Sequence, residues 1–244
     1  LVVKSSKVAK LFNAVQKAEV SWKRIKPLMK QPEQLEALHV PAAQDVTLEN
    51  LSFAYGGEPI FSGLSLTARP GWLRLYGGQT LSSHHKQTLF ARRWQHFAFT
   101  ATTKIDFAPQ NFQQVAGLVL FYDTCNWIYA YITWDERVNA RTLQILRCDY
   151  KDFTYGSEAV PLLDGEISLK VCVNGAEAQF YYKADGGWQP LGEVQPADHL
   201  SDDYIETRRG RCAFTGAMVG ICAQDMDAHQ SHADFAFFDY EEQR

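Results

Sequence analysis

Acidic side chains are the first groups in this sequence that could do chemistry, because two carboxyl groups about 5 to 10 Å apart can hydrolyse a glycosidic bond. The candidates are Asp123, Asp135, Glu136, Asp202, Asp203, Asp225, Asp227 and Asp234. Three of these groups, Asp135-Glu136, Asp202-Asp203 and Asp225 with Asp227, fall in predicted turns, where acidic side chains usually cap backbone amides. We therefore interpret them as turn-capping residues, and we predict no catalytic residue in this chain.

Metal binding has two candidate groups. His84-His85 and the pair His229 and His232 are the paired imidazoles, and the second pair lies close to two aspartates. Such a group can hold a divalent ion. Oxygen ligands suit a structural calcium better, and the candidate set is Asp225, Asp227, Asp234 and Asp239. We predict no cofactor, and we keep this set as the alternative.

Nucleophilic catalysis lacks its usual motifs. Gly63-Leu64-Ser65 has no second glycine where a GxSxG elbow needs one. The five cysteines are scattered, without a CxxC pair: Cys125, Cys148, Cys172, Cys212 and Cys222. We interpret them as buried free thiols in a reducing compartment. Together with the lysines that interrupt the first apolar residues, this favours a cytoplasmic protein without a signal peptide.

Aromatic residues alternate along one predicted strand. Successive side chains of a strand point to opposite faces. One face would carry Trp127, Tyr129, Tyr131 and Thr133, and the other Ile128, Ala130, Ile132 and Trp134. The aliphatic face belongs in a core. The aromatic face, like Trp188 elsewhere, could stack on sugar rings, although packing against a neighbouring domain is the commoner use of such residues.

A predicted loop with three arginines precedes a single aromatic residue. Arg208, Arg209 and Arg211 form the densest basic run, and Phe214 follows with Thr215-Gly216 behind it. The simplest interpretation is a solvated loop. An aromatic residue at a loop tip can also close a pocket and stack on a pyranose ring. We expect Phe214 to be exposed at one end of the domain.

The elements that must position these residues are mostly strands. The composition, with 46% hydrophobic and 21% charged residues, is that of a globular protein, and a net charge of -4 gives no basic field for nucleic acid or an anionic membrane. After residue 70, about ten short β-rich segments are separated by turn sequences such as Asn174-Gly175, with no helical pattern between them. This predicts an all-β, two-sheet antiparallel sandwich.

The first 69 residues have a different pattern. Apolar residues at three-to-four residue spacing over 3–29 predict an amphipathic helix, and residues 30–44 have the composition of a linker. Two short strands follow, around Val46 to Phe53 and Ile60 to Leu66, with Gly56-Gly57 as the hairpin turn. We place a domain boundary between residues 69 and 70.

Four segments together resemble one known module. They are Pro70 to Gly77, Ala91-Arg92-Arg93-Trp94-Gln95-His96-Phe97, Ala116 to Asp123, and Arg208 to Asp239 with its Ala-Asp-Phe ending. Their order and spacing resemble the C-terminal β-sandwich of family 43 glycoside hydrolases, the β-xylosidases and α-L-arabinofuranosidases, over about Thr67 to Tyr240. The resemblance implies a concanavalin A-like jelly roll. The chain departs from the family pattern at Ala236, where a second aspartate is usual.

The resemblance also implies roles. In this family the hydrolytic carboxylates lie in an N-terminal five-bladed propeller, which is missing here, and the loop matching Phe214 walls the sugar site. Phe214, Thr215 and Arg211 are thus the expected substrate-binding residues. The expected partners are the missing propeller, xylo-oligosaccharide and, through the orphaned interface, a second copy of the chain.

Residues 1–69 resemble another family. Phe12 to Ile25 and Val46 to Tyr55 are similar to the junction between the last transmembrane helix and the nucleotide-binding domain of ABC exporters, in which the residue matching Tyr55 stacks on adenine. No GxxxxGK[ST] loop follows, so the amides and lysine that bind phosphates are missing. We interpret Tyr55 as vestigial and expect no ATPase activity.

The simplest interpretation is a fusion of an exporter fragment with a glycosidase sandwich. We predict an accessory domain of a hemicellulose-degrading β-xylosidase, inactive alone. The alternative is an independent carbohydrate-binding module for xylan, using Trp127, Tyr129 and Tyr131 or Trp188.

Overall fold

The fold was analysed in a computed structural model that describes residues 47–55, 58–67, 71–184, 187–210 and 213–243. The predicted helix over 3–29 and the linker lie outside the described residues. The first described strands, β1 (Thr47–Tyr55) and β2 (Glu58–Thr67), form an antiparallel pair of their own. The predicted hairpin is therefore present.

Thirteen further strands form two antiparallel sheets. Their bounds are β3 Leu73–Tyr76, β4 Thr88–Arg93, β5 Ala98–Asp106, β6 Gln114–Asp123, β7 Asn126–Asp135, β8 Ala140–Asp149, β9 Asp152–Tyr155, β10 Val160–Pro161, β11 Glu166–Asn174, β12 Glu177–Ala184, β13 Gly187–Pro196, β14 Met218–Asp225 and β15 His232–Glu242. The six-stranded sheet has the order β13-β12-β11-β5-β15-β3. The seven-stranded sheet has the order β10-β8-β7-β6-β14-β4, with β9 also paired to β8. This is the expected two-sheet, all-β sandwich.

The space between the sheets holds the main hydrophobic core. Alternate residues of each sheet enter it, including Leu118, Ile128 and Phe180, all fully buried. The aliphatic face predicted for β7 is here, since Ile128, Ala130 and Ile132 all belong to this core, and Trp134 is half-buried near the strand end. Burial of such side chains is the main stabilising contribution to a sandwich of this kind.

The seven-stranded sheet has a second cluster on its outer face. Antiparallel sheets commonly leave one face to water. Here the outer face packs Val119, Phe121, Trp127, Tyr129 and Tyr131 with Leu81, which comes from the β3–β4 connection. Residues 126–133 of β7 are buried on both faces.

A helix and three strands, the short β9 and β10 and the longer β13, were not predicted from the sequence. Asp202–Arg209 forms helix α1, preceded by a 3-10 turn at Asp198–Leu200. Asp202 and Asp203 are therefore in the first helical turn and not in a non-helical turn, and Arg208 and Arg209 are its last residues and not a loop. The unpredicted strand β13 contains Pro190 and Gly192, and it is tolerated because it lies at the sheet edge.

Within the described residues, no helix has the length and apolar character needed to cross a membrane.

Two phenylalanines at the start of β5, Phe97 just before the strand and Phe99 within it, test where the core begins. Phe99 is fully buried, with ring centroids 5.1 Å from Trp94 and 4.7 Å from Tyr240, whereas Phe97 is 90% exposed. Phe99→Ala should lower the free energy of unfolding by about 3 to 5 kcal/mol. Phe97→Ala should change it by less than about 0.5 kcal/mol. Urea denaturation of both variants measures the difference, and equal effects would contradict this placement of the core.

Candidate functional site

The loop that carries Phe214 connects helix α1 to strand β14. The helix begins at Ser201, whose Oγ accepts a hydrogen bond from the Tyr204 amide at 3.2 Å. It ends at Gly210, which has a left-handed φ of 65° and donates its amide to the Glu206 carbonyl at 2.8 Å. The described part of the loop is residues 213–217, and β14 starts at Met218.

Asp202 ties this loop to the sandwich. Its Oδ1 accepts a hydrogen bond from the Tyr122 hydroxyl at 2.6 Å and another from the Gly216 amide at 3.1 Å. Tyr122 lies near the end of β6 and is only 2% exposed. The carboxylate at the start of α1 therefore joins a core strand to the loop two residues after Phe214. Gly216 has φ 69°, a conformation that favours glycine.

The protonation of Tyr122 supports this connection. Burial, and then the hydrogen bond to Asp202, raise the pKa of Tyr122 above its usual value of 10. The hydroxyl therefore remains a donor at neutral pH. Because its oxygen can also accept from the Thr215 amide at 3.4 Å, Tyr122 contacts the loop directly as well as through Asp202.

Strand β4 holds the other side of the loop. The Arg93 guanidinium donates to the Thr215 carbonyl, and the Trp94 amide donates to the Ala217 carbonyl at 2.9 Å. Helix α1 is itself anchored by Tyr204, whose hydroxyl donates to Asp149 at 2.8 Å. The loop is thus fixed by backbone and side-chain hydrogen bonds from three elements.

Phe214 is 83% exposed on this fixed loop, as the sequence predicts. The β4–β5 connection, which the Trp94 bond places beside the loop, carries Phe97 with 90% of its surface exposed. Two phenylalanine rings are therefore presented to solvent at the same end of the sandwich. Thr215 is exposed beside Phe214, and the Arg211 side chain lies outside the described residues.

Two of the acidic residues that could have formed a hydrolytic pair, Asp225 and Asp135, have structural partners. Burial by itself would raise the pKa of Asp225, but the amides of Ser231, Asp227 and Gln230 lower it below its usual 3.8. Asp135 accepts from the Arg137 amide at 2.9 Å and from its guanidinium. Both are capping residues, as expected.

The candidate metal ligands do not come together. Asp234 forms a bidentate ion pair with Arg74, with distances of 2.7 and 2.8 Å. Asp227 accepts from Asn111 at 3.1 Å, while Asp239 lies on the exposed part of β15. Across the described ranges, no three His, Cys, Asp or Glu side chains are grouped as a metal site, and this holds for His84, His85, His229 and His232 too.

The aromatic face of β7, which we considered as a possible stacking surface for sugars, is buried. Trp127, Tyr129 and Tyr131 are 4%, 2% and 6% exposed, so their rings cannot offer faces to a sugar without other residues moving. Trp188 lies on the other sheet, beside Lys170 at 4.4 Å, and cannot share a site with them.

Exposed rings flank that buried face instead. Phe112, before β6, and Tyr155, at the end of β9, are 62% and 67% exposed and line a groove over β7. Sequence reasoning missed both. Phe112 is an isolated aromatic residue in a connection, and Tyr155 ends a strand of four residues, too short to give a clear periodic signal.

Two of the cysteines, Cys148 and Cys222, are buried thiols without reactive character. Burial raises the pKa of Cys148 to about 11 and that of Cys222 to about 12. Cys125 and Cys172 are free and half-buried, and Cys212 lies outside the described residues. The prediction of buried thiols thus holds for two of the four described.

Comparison with known proteins identifies the module. The family model of the β-xylosidase C-terminal concanavalin A-like domain matches residues 49–241. The chain belongs to this family.

Relatives of the domain are longer proteins. A putative β-xylosidase of Escherichia coli is 40% identical over 182 residues, which cover 72% of this chain and 33% of that protein. A β-xylosidase of Bacillus subtilis is 38% identical over 206 residues, covering 82% and 37%. A crystal structure of xylan β-1,4-xylosidase from Bacillus halodurans is 36% identical, with a TM-score of 0.67 over 71% of this chain and 33% of that one. The chain spans about a third of the length of the curated relatives it matches.

The matched region bears on the predicted fusion. It begins at residue 49 and therefore includes most of the β1–β2 hairpin, which we had assigned to an exporter-like fragment. The exporter resemblance gains no support from these comparisons, and for residues 1–46, which lie outside the described residues, it stays a prediction. The boundary between residues 69 and 70 also stays a prediction.

The Asp202 contacts of this xylosidase-type domain predict a measurable effect on the Phe214 loop. Asp202→Ala removes the acceptor shared by Tyr122 and Gly216, so the Gly216 amide should exchange with solvent about tenfold faster or more, in line with the loss of a charge-assisted hydrogen bond. Asp203→Ala, in the same helical turn but exposed, is the matched control and should leave that amide unchanged. Hydrogen exchange followed by NMR measures both. Equal protection of Gly216 in the two variants would show that Asp202 does not hold the loop.

Proposed function

We propose that this chain is the accessory C-terminal domain of a hemicellulose-degrading β-xylosidase or α-L-arabinofuranosidase and supplies the Phe214 loop to the sugar pocket of a catalytic domain. The observation that carries the proposal is an apolar ring left in solvent on a loop fixed by Asp202, Tyr122 and Arg93. Exposing an apolar ring to water has an unfavourable hydration free energy, and holding it on a fixed loop also costs conformational entropy. A partner that buries the ring would recover the first of these costs.

The end of the sandwich that carries Phe97 and Phe214 is the surface we assign to the catalytic domain. Both rings project from connections that hydrogen-bond to each other through Trp94 and Ala217. Clustered exposed apolar groups commonly mark a protein interface. The names of the relatives, which are β-xylosidases about three times the length of the match, support a catalytic domain as the partner.

In the assembled enzyme, we propose that this domain shapes the sugar pocket and takes no part in bond cleavage. Phe214 would form one wall of the sugar site and exclude water, while Thr215 and Arg211 would lie beside it. Excluding water strengthens the electrostatic interactions between substrate and catalytic carboxylates, which the partner would contribute. Asp135 and Asp225, occupied by capping contacts, have no hydrolytic role in this proposal.

A kinetic comparison tests the role of Phe214. The catalytic domain of a relative, fused to or mixed with this chain, should cleave an aryl-β-xyloside, and the chain alone should not. Phe214→Ala should then lower kcat/KM by an amount equivalent to about 1 to 3 kcal/mol of transition-state binding free energy, the scale of one apolar pocket contact. Stability by urea denaturation should be unchanged because the ring is exposed.

Leu163→Ala is the matched control, since Leu163 is 86% exposed in the connection before β11, at the opposite end of the sandwich. It should leave kcat/KM unchanged. The role assigned to Phe214 would be lost if both variants were equally active, or if the chain alone hydrolysed the substrate.

A further inference from the structure

A groove runs over the outer face of the seven-stranded sheet, away from the Phe214 loop. It consists of two adjoining depressions of about 380 and 260 Å³. They are continuous because both are lined by Phe112, Thr133, Gln144 and Tyr155. Their lining extends along β7 from Trp127 to Asp135, about 27 Å at the rise of an antiparallel strand. The groove is therefore long enough for a chain-like ligand.

The rim and the floor of this groove differ in exposure. The floor is made by the buried rings of Trp127, Tyr129 and Tyr131, whereas the rim presents Phe112 and Tyr155 with 62% and 67% of their surfaces exposed. Only the rim rings can offer a face to a ligand. Exposed aromatic rings beside a groove provide stacking surfaces for the apolar faces of sugar rings.

Hydrogen bonds hold the rim in place without a ligand. The Thr133 hydroxyl is within hydrogen-bonding distance of both the Phe112 carbonyl, at 3.2 Å, and the Gln114 carbonyl, at 3.0 Å. On the other side, the Gly156 amide donates to the Ile145 carbonyl at 2.9 Å directly after Tyr155. A preformed site loses less conformational entropy on binding than one that must be ordered.

The lining of the larger depression carries no charge. Its polar groups are hydroxyls and side-chain amides, among them Gln144, which donates to the Tyr131 hydroxyl, and Gln224. The charged residues Asp135, Glu136 and Arg137 lie only at the far end, where Asp135 and Arg137 neutralise each other, with 2.8 Å between their charged atoms, and Glu136 is exposed to solvent. Uncharged donors and acceptors between aromatic surfaces match a neutral, hydroxyl-rich molecule and do not favour an anion or a cation.

We propose that this groove is a second, non-catalytic carbohydrate site that binds a neutral, linear oligosaccharide, with Phe112 and Tyr155 as the stacking residues. The ligand lies along β7, with its hydroxyls facing Gln144 and Gln224. The site is independent of the role proposed for Phe214, since Phe214 does not line it. It places sugar binding on the rim rings and not on Trp127, Tyr129, Tyr131 or Trp188.

Titration of the full chain with xylotetraose, followed by calorimetry and by the Trp127 indole NMR signal, tests this site. Phe112→Ala and Tyr155→Ala should each weaken binding about tenfold, since each removes one stacking surface. Phe97→Ala, which removes an even more exposed ring at the other end of the sandwich, is the matched control and should bind as the unmodified chain does. Tyr155→Phe should also retain binding because it keeps the ring.

Three results would overturn the proposal: no detectable binding of xylotetraose by the unmodified chain, equal weakening by Phe97→Ala, or full retention of affinity in the Phe112→Ala, Tyr155→Ala double variant. Xylose alone should bind much more weakly than the tetrasaccharide, because a single ring fills only part of a groove about 27 Å long. Equal affinity for the two would likewise contradict a chain-binding groove. None of these outcomes depends on activity, so a failure here is separable from a failure of the Phe214 assignment.

Discussion

Burial of strand β7, within the seven-stranded sheet, on both of its faces is the constraint on which the rest of the molecule depends. The strand β7 sends Ile128, Ala130 and Ile132 into the space between the sheets, and its opposite face packs Trp127, Tyr129 and Tyr131 under Leu81. Neither face of this strand is therefore free to present a flat binding surface. Among the described residues, the aromatic rings that are more than 60% exposed are Phe97, Phe112, Tyr155 and Phe214, at one sandwich end and along the groove rim, and these are the positions where we place function.

The Phe214 loop depends on a single carboxylate in a similar way. Asp202 is both a first-turn residue of α1, where acidic side chains are favoured by the helix dipole, and the acceptor for Tyr122 and Gly216. The same residue thus stabilises the helix start and fixes the loop against a core strand. A loop held this way can keep a large apolar ring in solvent without collapsing onto its own domain.

Much of the fold could be predicted from the sequence because alternation is a strong signal in long strands. The predicted segment Thr88 to Arg93 coincides with β4, and the aliphatic face of β7 lies in the core. Other features could not be found in that way. Strand β13 contains prolines and glycines and lies at a sheet edge, Phe112 is isolated in a connection, and Tyr155 ends a strand of only four residues. Helix α1 did have a signal, since Ser201 as N-cap, two aspartates in the first turn, arginines in the last and Gly210 after it are typical of a short helix.

The candidate site was only partly predictable for a related reason. The exposure of Phe214 follows from its neighbours in sequence, but what fixes it comes from Tyr122, about ninety residues earlier in the chain. Aromatic residues at alternate positions left sugar stacking open beside the commoner packing role, and the burial of Trp127, Tyr129 and Tyr131 disfavours stacking. Whether this face is exposed or buried depends on Leu81, which packs on the outer cluster and whose position there is not evident from the sequence.

The most direct test of the central claim is a footprint of the catalytic domain on this one. A catalytic domain from a β-xylosidase relative, produced separately, is mixed with this chain, and backbone hydrogen exchange is measured with and without it. The account predicts added protection at residues 213–217 and in the β4–β5 connection around Phe97, with the groove residues near Phe112 and Tyr155 unchanged. Protection confined to the outer face of the seven-stranded sheet, with the Phe214 loop exchanging as in the isolated chain, would contradict it.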